Sequence, residues 1–157
     1  GASLLSTPAL RVYQRATNMS YTYHDLVTFH STSNAAQKGS IRVNAYGTQY
    51  ATSSDYRLKE NEIPIADGIQ RVKQLQPKRF NFIGYSEQSV DGFMAHEVQD
   101  VIHEAVSGVK DEVDEEGNPV YQSIDQSKLV PLLTAALKEA IAKIEDLETR
   151  IQTLENQ

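Results

Sequence analysis

A serine and a lysine five residues apart, in the stretch Ser53–Glu60, are the residues whose types and spacing could support catalysis. A serine hydroxyl attacks an amide carbonyl when a neighbouring base accepts its proton. The chain has no cysteine, and His96 and His103 lie far from Ser54 in sequence, so Lys59 is the nearest candidate base. Ser54 is therefore a possible nucleophile and Lys59 a possible general base of a Ser-Lys pair.

Such a dyad needs a folded protein around it. An ordinary lysine has a pKa of about 10.4, so only about one side chain in a thousand is neutral near pH 7.4. Desolvation or a nearby cation favours the neutral amine, and Arg57 lies two residues from Lys59. An unfolded chain supplies no desolvation, so we expect the dyad to act only after the fold has closed around it.

The spacing also constrains the local backbone. Five residues of a straight α-helix rotate by about 500°, which would leave Ser54 and Lys59 about 140° apart on different faces. A productive pair therefore requires an extended backbone at Ser54, followed by a turn or short helix that begins at Asp55 and brings Lys59 back towards Ser54. The alternative is purely structural, with Ser53, Ser54 or Asp55 acting as the cap of a short helix. Asp55 and Arg57 are the candidate supporting residues.

The order and spacing of short motifs around this stretch are similar to those of one family. The motifs are Gly39-Ser40-Ile41, Tyr50 to Asn61, Leu75-Gln76-Pro77, Arg79-Phe80-Asn81-Phe82, Gly92 to Gln99, Ser123-Ile124-Asp125 and Leu129 to Leu133. From about Gly39 onward the chain resembles the self-cleaving intramolecular chaperone domain at the C-terminus of phage tailspikes, tail fibres and endosialidases. The Ser-Asp-x-x-Leu-Lys core and the helix entering a coiled coil are the most specific parts. His96 departs from the pattern, because such domains often carry Gln there.

The resemblance implies a function and assigns it residues. Ser54 and Lys59 would be the cleavage dyad, and the bond broken would join Ser53 to Ser54. The domain would form a homotrimer that helps the upstream spike or fibre segment of the same polypeptide to fold, and would then release itself. This would happen in the cytoplasm of the host bacterium during virion assembly. The alternative is a passive trimerisation or receptor-binding tip without proteolysis.

Composition and motif spacing argue against several other classes of function. The chain has 157 residues, of which 39% are hydrophobic, as expected for one or two small globular units. A net charge of −6 argues against general nucleic-acid affinity, which needs clustered Lys and Arg. No apolar run approaches the ~20 residues of a membrane span. The spacings of His96 with His103, and of residues 111–117, fail the zinc and calcium patterns. We therefore expect no metal, cofactor, nucleic-acid or membrane partner.

The periodicity predicts an α+β fold in two parts. Residues 1–53 would be the C-terminal end of the upstream β-rich segment, and residues 54–157 the chaperone domain. Alternation in the first part predicts strands at Arg11–Arg15, Ser20–Tyr23, Leu26–Ser31 and Ile41–Tyr46, with a polar connection from Ser31 to Gly39. Patterns in the second part predict a helix at Ile65–Leu75, a strand at Arg79–Tyr85, an apolar helical face at Gly92–Val106 and a hairpin at Val109–Ser123 turning at Glu116-Gly117-Asn118.

The last segment, residues 128–157, carries a heptad repeat. Its two interleaved series are Val130, Leu137, Ile144 and Ile151, and Leu133, Ala140, Leu147 and Leu154. This pattern predicts a coiled-coil seam. A parallel register pairs Lys143 with Glu148 and Arg150 with Glu155 of a neighbouring chain, which favours parallel assembly. The heptads alone leave the number of helices open, and the resemblance implies three. The alternative is a helix that packs only on its own domain.

Overall fold

The computed structural model describes residues 23–31 and 36–156. The chain forms two compact units that divide between Glu62 and Ile63. The predicted strand at Arg11–Arg15, and most of the one at Ser20–Tyr23, lie outside the described residues. The mixture of strands and helices confirms the α+β class.

The first unit contains a three-stranded antiparallel sheet. Its strands, in spatial as well as sequence order, are β1 (His24–His30), β2 (Gln37–Asn44) and β3 (Gly47–Thr52). A two-residue turn joins β2 to β3, and the Asn44 side chain accepts hydrogen bonds there from the amides of Tyr46 and Gly47. The connection predicted to extend to Gly39 ends earlier, because β2 begins at Gln37, which pairs with His30 of β1, and β2 pairs with β3 from Gly39 onward.

The second unit places its helices and short strands around one core. Its elements are α1 (Gly68–Val72), β4 (Lys78–Asn81), β5 (Ser89–Gly92), α2 (Ala95–Gln99), β6 (Val106–Ser107), β7 (Ser123–Ile124) and α3 (Leu129–Glu155). Strands β4 and β5 form one antiparallel pair, and β6 and β7 form another. The buried core residues are Val98, Ile102, Ala105, Val106, Leu129 and Leu132. Within the described ranges, no helix is long and apolar enough to cross a membrane.

Two predicted elements of this unit are shorter than their apolar patterns suggested. The helix predicted at Ile65–Leu75 is only α1, whose Gly68 lies against the backbone of α3. A Cβ atom on Gly68 would come within 2.4 Å of the Ala136 nitrogen. The strand predicted at Arg79–Tyr85 ends at Asn81, whose side-chain amide donates to the carbonyl of Ser86 and closes a turn into β5.

The apolar helical face predicted over Gly92–Val106 is formed by several separate elements. Helix α2 ends at Gln99, Ile102 has a non-helical backbone (φ −136°, ψ 82°), and a 3₁₀ turn follows at His103–Ala105. The helical spacing of the apolar residues thus reflects a shared core rather than one continuous helix. The hairpin at Val109–Ser123 is confirmed, since Val113 pairs with Pro119 across the predicted turn.

Helix α3 has two apolar faces with different environments. Leu129, Leu132 and Ala136 are buried against the unit's own core. Ala140 is half-buried, and the other seven heptad residues are 47–68% exposed: Val130, Leu133, Leu137, Ile144, Leu147, Ile151 and Leu154. Packing on its own domain therefore accounts for the first face and leaves the heptad face exposed within the described chain. The coiled coil remains a prediction.

Candidate active site

Ser54 lies where the chain leaves the sheet. Strand β3 ends at Thr52, and Ser53 is still attached to β2. Its amide donates to the carbonyl of Lys38 at 3.0 Å, and its hydroxyl donates to the carbonyl of Gln37 at 2.9 Å. The Ser53–Ser54 peptide thus joins an anchored residue to the first residue of the following turn.

A capped 3₁₀ turn follows at Tyr56–Leu58. Asp55 is its N-cap, and its carboxylate accepts from the Arg57 amide at 2.9 Å. This hydrogen bond pairs one of the amides that the first turn of a helix leaves without a partner. The Asp55 carbonyl accepts from the Leu58 amide at 3.1 Å, and the Tyr56 carbonyl from the Lys59 amide at 3.0 Å. The turn ends at Lys59, whose backbone is extended (φ −126°, ψ 146°).

This turn brings the two candidate residues together. The Lys59 Nζ donates to the Ser54 Oγ at 2.8 Å, a distance suited to proton transfer. The two sequence alternatives are thus both present, because Asp55 caps the turn and the same turn returns Lys59 to Ser54. Both side chains are exposed in this single chain. The described chain supplies the contact but little of the desolvation that a lysine base requires.

Arg57 does not stand as an isolated cation beside Lys59. Its Nε lies 2.9 Å from Oδ1 of Asp55, and its Nη2 lies 2.8 Å from Oδ2. The guanidinium, together with the Arg57 amide, holds the pKa of the Asp55 carboxyl below its usual value. Arg57 therefore supports the turn through its contacts with Asp55.

The contacts that anchor Ser53 and α1 were not predicted. Gln37 and Lys38 were assigned to a polar connection, although they hold Ser53 on the sheet. Glu139 of α3 accepts from the amides of Gly68 at 2.6 Å and Ile69 at 3.1 Å, which fastens the start of α1 to α3. Each is a long-range contact to the backbone, for which the side-chain pattern gives no signal.

The histidines and the acidic loop form no metal site in the part of the chain that the structure describes. There, no group of three or more histidine or acidic side chains is placed to hold a metal ion. Asp114 instead orders its own turn, because its Oδ1 accepts from the amides of Glu116 at 2.9 Å and Asn118 at 2.8 Å.

Residues 54–107 match the model of a peptidase family described as chaperone of endosialidase. The matched segment begins at Ser54, includes Lys59 and extends through most of the core-forming part of the second unit, but it stops before α3. The resemblance recognised in the sequence is confirmed for these residues. A search of curated proteins found no match to the chain.

Proposed function

We propose that this chain, whose residues 54–107 carry the match to the chaperone-of-endosialidase family, is an intramolecular trimerisation chaperone. It assists the folding of an upstream tailspike or tail-fibre segment of the same polypeptide. It then releases itself by cutting between Ser53 and Ser54. The observation that supports cleavage most is the 2.8 Å hydrogen bond from the Lys59 Nζ to the Ser54 Oγ.

In the first step of the proposed reaction, the neutral Lys59 amine accepts the proton of the Ser54 hydroxyl. The Ser54 Oγ then attacks the carbonyl carbon of Ser53, which forms a five-membered ring with the backbone. The C–N bond breaks, and Lys59 returns the proton to the departing nitrogen of Ser54. The product is an ester that joins the Ser53 carbonyl to the Ser54 oxygen.

Water completes the reaction. Lys59, neutral again, accepts a proton from a water molecule that attacks the ester carbonyl. The ester bond breaks, Lys59 passes this proton to the Ser54 oxygen to restore the hydroxyl, and Ser53 becomes a C-terminal carboxylic acid that loses its proton to solvent. One water molecule is consumed, and the released chaperone begins at Ser54. The hydrogen bonds from Ser53 to β2 support this sequence of steps, because they hold the acyl part of the scissile bond in place.

Assembly would change the solvent exposure of the Ser54–Lys59 dyad. Burial disfavours the charged form of an amine, yet Ser54 and Lys59 are exposed in the single chain. In a trimer, neighbouring chains would bury these two side chains. Cleavage would then follow assembly, so that the chaperone stays attached until three chains are aligned.

The exposed heptad face of α3 supports the trimerisation role. Each Val, Leu or Ile side chain moved fully out of water contributes roughly 1.5–3 kcal/mol, and seven such side chains are 47–68% exposed in the single chain. A local helical association is fast, whereas non-local β pairing is slow. Joining the chains through α3 raises their effective concentration before the slow step. The alternative, a passive trimerisation tip, uses the same face without cleavage.

An assembly-disrupting variant tests the proposal. Ile144→Asp combined with Ile151→Asp places charges in the heptad face, and we expect it to abolish trimer formation and cleavage together. The matched control is Thr149→Asp with Gln152→Asp, which adds the same charge outside the heptad positions. Sedimentation velocity and gel analysis of the same samples measure both properties. Efficient cleavage in a monomeric heptad variant would contradict the link between assembly and chemistry.

A further inference from the structure

We propose that Asp55 is a positioning residue for the cleavage reaction, because its carboxylate holds the turn that keeps Lys59 against Ser54. This inference rests on the proposed function, since it concerns the same site. It goes beyond general support for the dyad by assigning one mechanical task to one carboxylate: fixing the backbone path between the nucleophile and the base.

Three hydrogen bonds hold the Asp55 carboxylate. Its Oδ1 accepts from the Arg57 amide and the Arg57 Nε, both at 2.9 Å, and its Oδ2 accepts from the Arg57 Nη2 at 2.8 Å. The guanidinium therefore fixes the orientation of the carboxylate, and the carboxylate fixes the Arg57 amide. The Asp55 carbonyl adds a fourth contact by accepting from the Leu58 amide at 3.1 Å. All four contacts lie in the short segment that separates Ser54 from Lys59.

The contact between Lys59 and Ser54 depends on this backbone path. A lysine side chain is flexible, and holding it in one conformation costs rotamer entropy. If the turn opens, Lys59 Nζ is free to leave the Ser54 Oγ, and the alignment needed for proton transfer is lost. A displacement of about 1 Å at a reacting group can slow a reaction on the order of 100-fold.

The second unit contains a matched control. Arg79 and Asp91 form the same kind of exposed pair, with Nε to Oδ1 at 2.7 Å and Nη2 to Oδ2 at 3.0 Å. Among the described residues, the Asp91 carboxylate accepts from Arg79 alone, and it caps no turn. Exposed ion pairs contribute little to stability, so Asp91→Ala reports the loss of such a pair without the loss of a cap.

The experiment follows cleavage of the full chain after cell-free synthesis and transfer to buffers of different pH. We expect Asp55→Ala to slow cleavage on the order of 100-fold. Asp55→Asn, which keeps a cap acceptor of similar quality, is expected to stay within about 10-fold of the wild type. Asp91→Ala is expected to cleave at the wild-type rate. Sedimentation of each variant confirms that the trimer has formed.

The pH profile separates positioning from a charge effect and from a general structural role. Loss of a positioning residue lowers the rate by the same factor across the pH range in which the wild-type Asp55 is ionised, because it alters geometry rather than the protonation of the base. A wild-type rate in Asp55→Ala, a deficit that disappears within that pH range, or an Asn variant as slow as the Ala variant would each overturn the inference. Cleavage persisting in Ser54→Ala would instead overturn the proposed function itself.

Discussion

Two aspartate-capped 3₁₀ turns in this chain begin alike and end differently. Asp55 accepts from the amide two residues ahead and opens the turn at Tyr56–Leu58. Asp125 does the same with the amide of Ser127 and opens the turn at Gln126–Lys128. The first turn ends at an extended Lys59, whereas the second continues directly into α3.

The difference lies in the burial of the residues at the end of each turn. Leu129 and Leu132, just after the second turn, are buried at 5% and 2% exposure, so continuing as a helix places apolar side chains in the core. Leu58 and Lys59 are exposed, so burial of apolar side chains does not stabilise a helix there. The cap starts a turn, and tertiary packing decides whether the turn becomes a helix. In the first unit the short turn leaves Lys59 beside Ser54.

The largest expected effect is the loss of cleavage when Lys59, at the end of the first turn, is substituted. Lys59→Arg keeps the positive charge but not the ability to give up a proton near neutral pH, so we expect cleavage to stop. Lys128→Arg, the same substitution in the second turn, is expected to leave cleavage unchanged. Gel analysis of assembled protein measures both. Continued cleavage in Lys59→Arg would mean that another group serves as the base.

A smaller effect is expected on folding, and it falls on the second turn. Leu132→Ala removes a side chain buried beneath the start of α3, and we expect it to lower the free energy of unfolding by about 2–5 kcal/mol. Leu58→Ala removes a 69% exposed side chain, and a change within about 0.5 kcal/mol is expected. Denaturant unfolding of the two variants in an uncleavable Ser54→Ala background makes the comparison. Equal losses would contradict the role assigned to burial.

The smallest expected effect concerns pH. The Ser127 hydroxyl, followed by the Ser127 amide, lowers the pKa of the Asp125 carboxyl. A lowered pKa in the folded protein means that the ionised carboxylate stabilises the fold above the ordinary pKa of about 4. This contribution is lost as the pH falls through the lowered folded value. The gap in thermal midpoint between wild type and Asp125→Asn should therefore narrow below about pH 4. A gap that is constant down to the lowest pH would contradict this.

Local contacts were the predictable part of the site. Helix geometry and cap chemistry within six residues predicted a turn that begins at Asp55 and brings Lys59 back to Ser54. The turn has this form. The anchoring of Ser53 could not be derived in this way, because it depends on the register of β2 against β3. Strand β3 itself was not predicted, since its six residues contain little apolar signal.

The same distinction applies to α1 and α3. The heptad pattern predicted one continuous helix at the C-terminus, and α3 extends over 27 residues as one helix. The pattern over Ile65–Leu75 overestimated α1, whose start is determined by the close approach of Gly68 to α3 and by Glu139. Backbone proximity between distant elements leaves no periodicity in the sequence. This is why the length of α1 was misjudged.

Mass spectrometry of the purified, assembled protein tests the central claim most directly. If the Ser54 hydroxyl attacks the Ser53 carbonyl with Lys59 as the base, the wild type yields a fragment whose first residue is Ser54 and whose last is the C-terminal residue of the chain. Ser54→Ala yields only the intact chain while still sedimenting as a trimer. An intact wild-type chain in a fully assembled sample, or a fragment that begins at any other residue, would contradict the account.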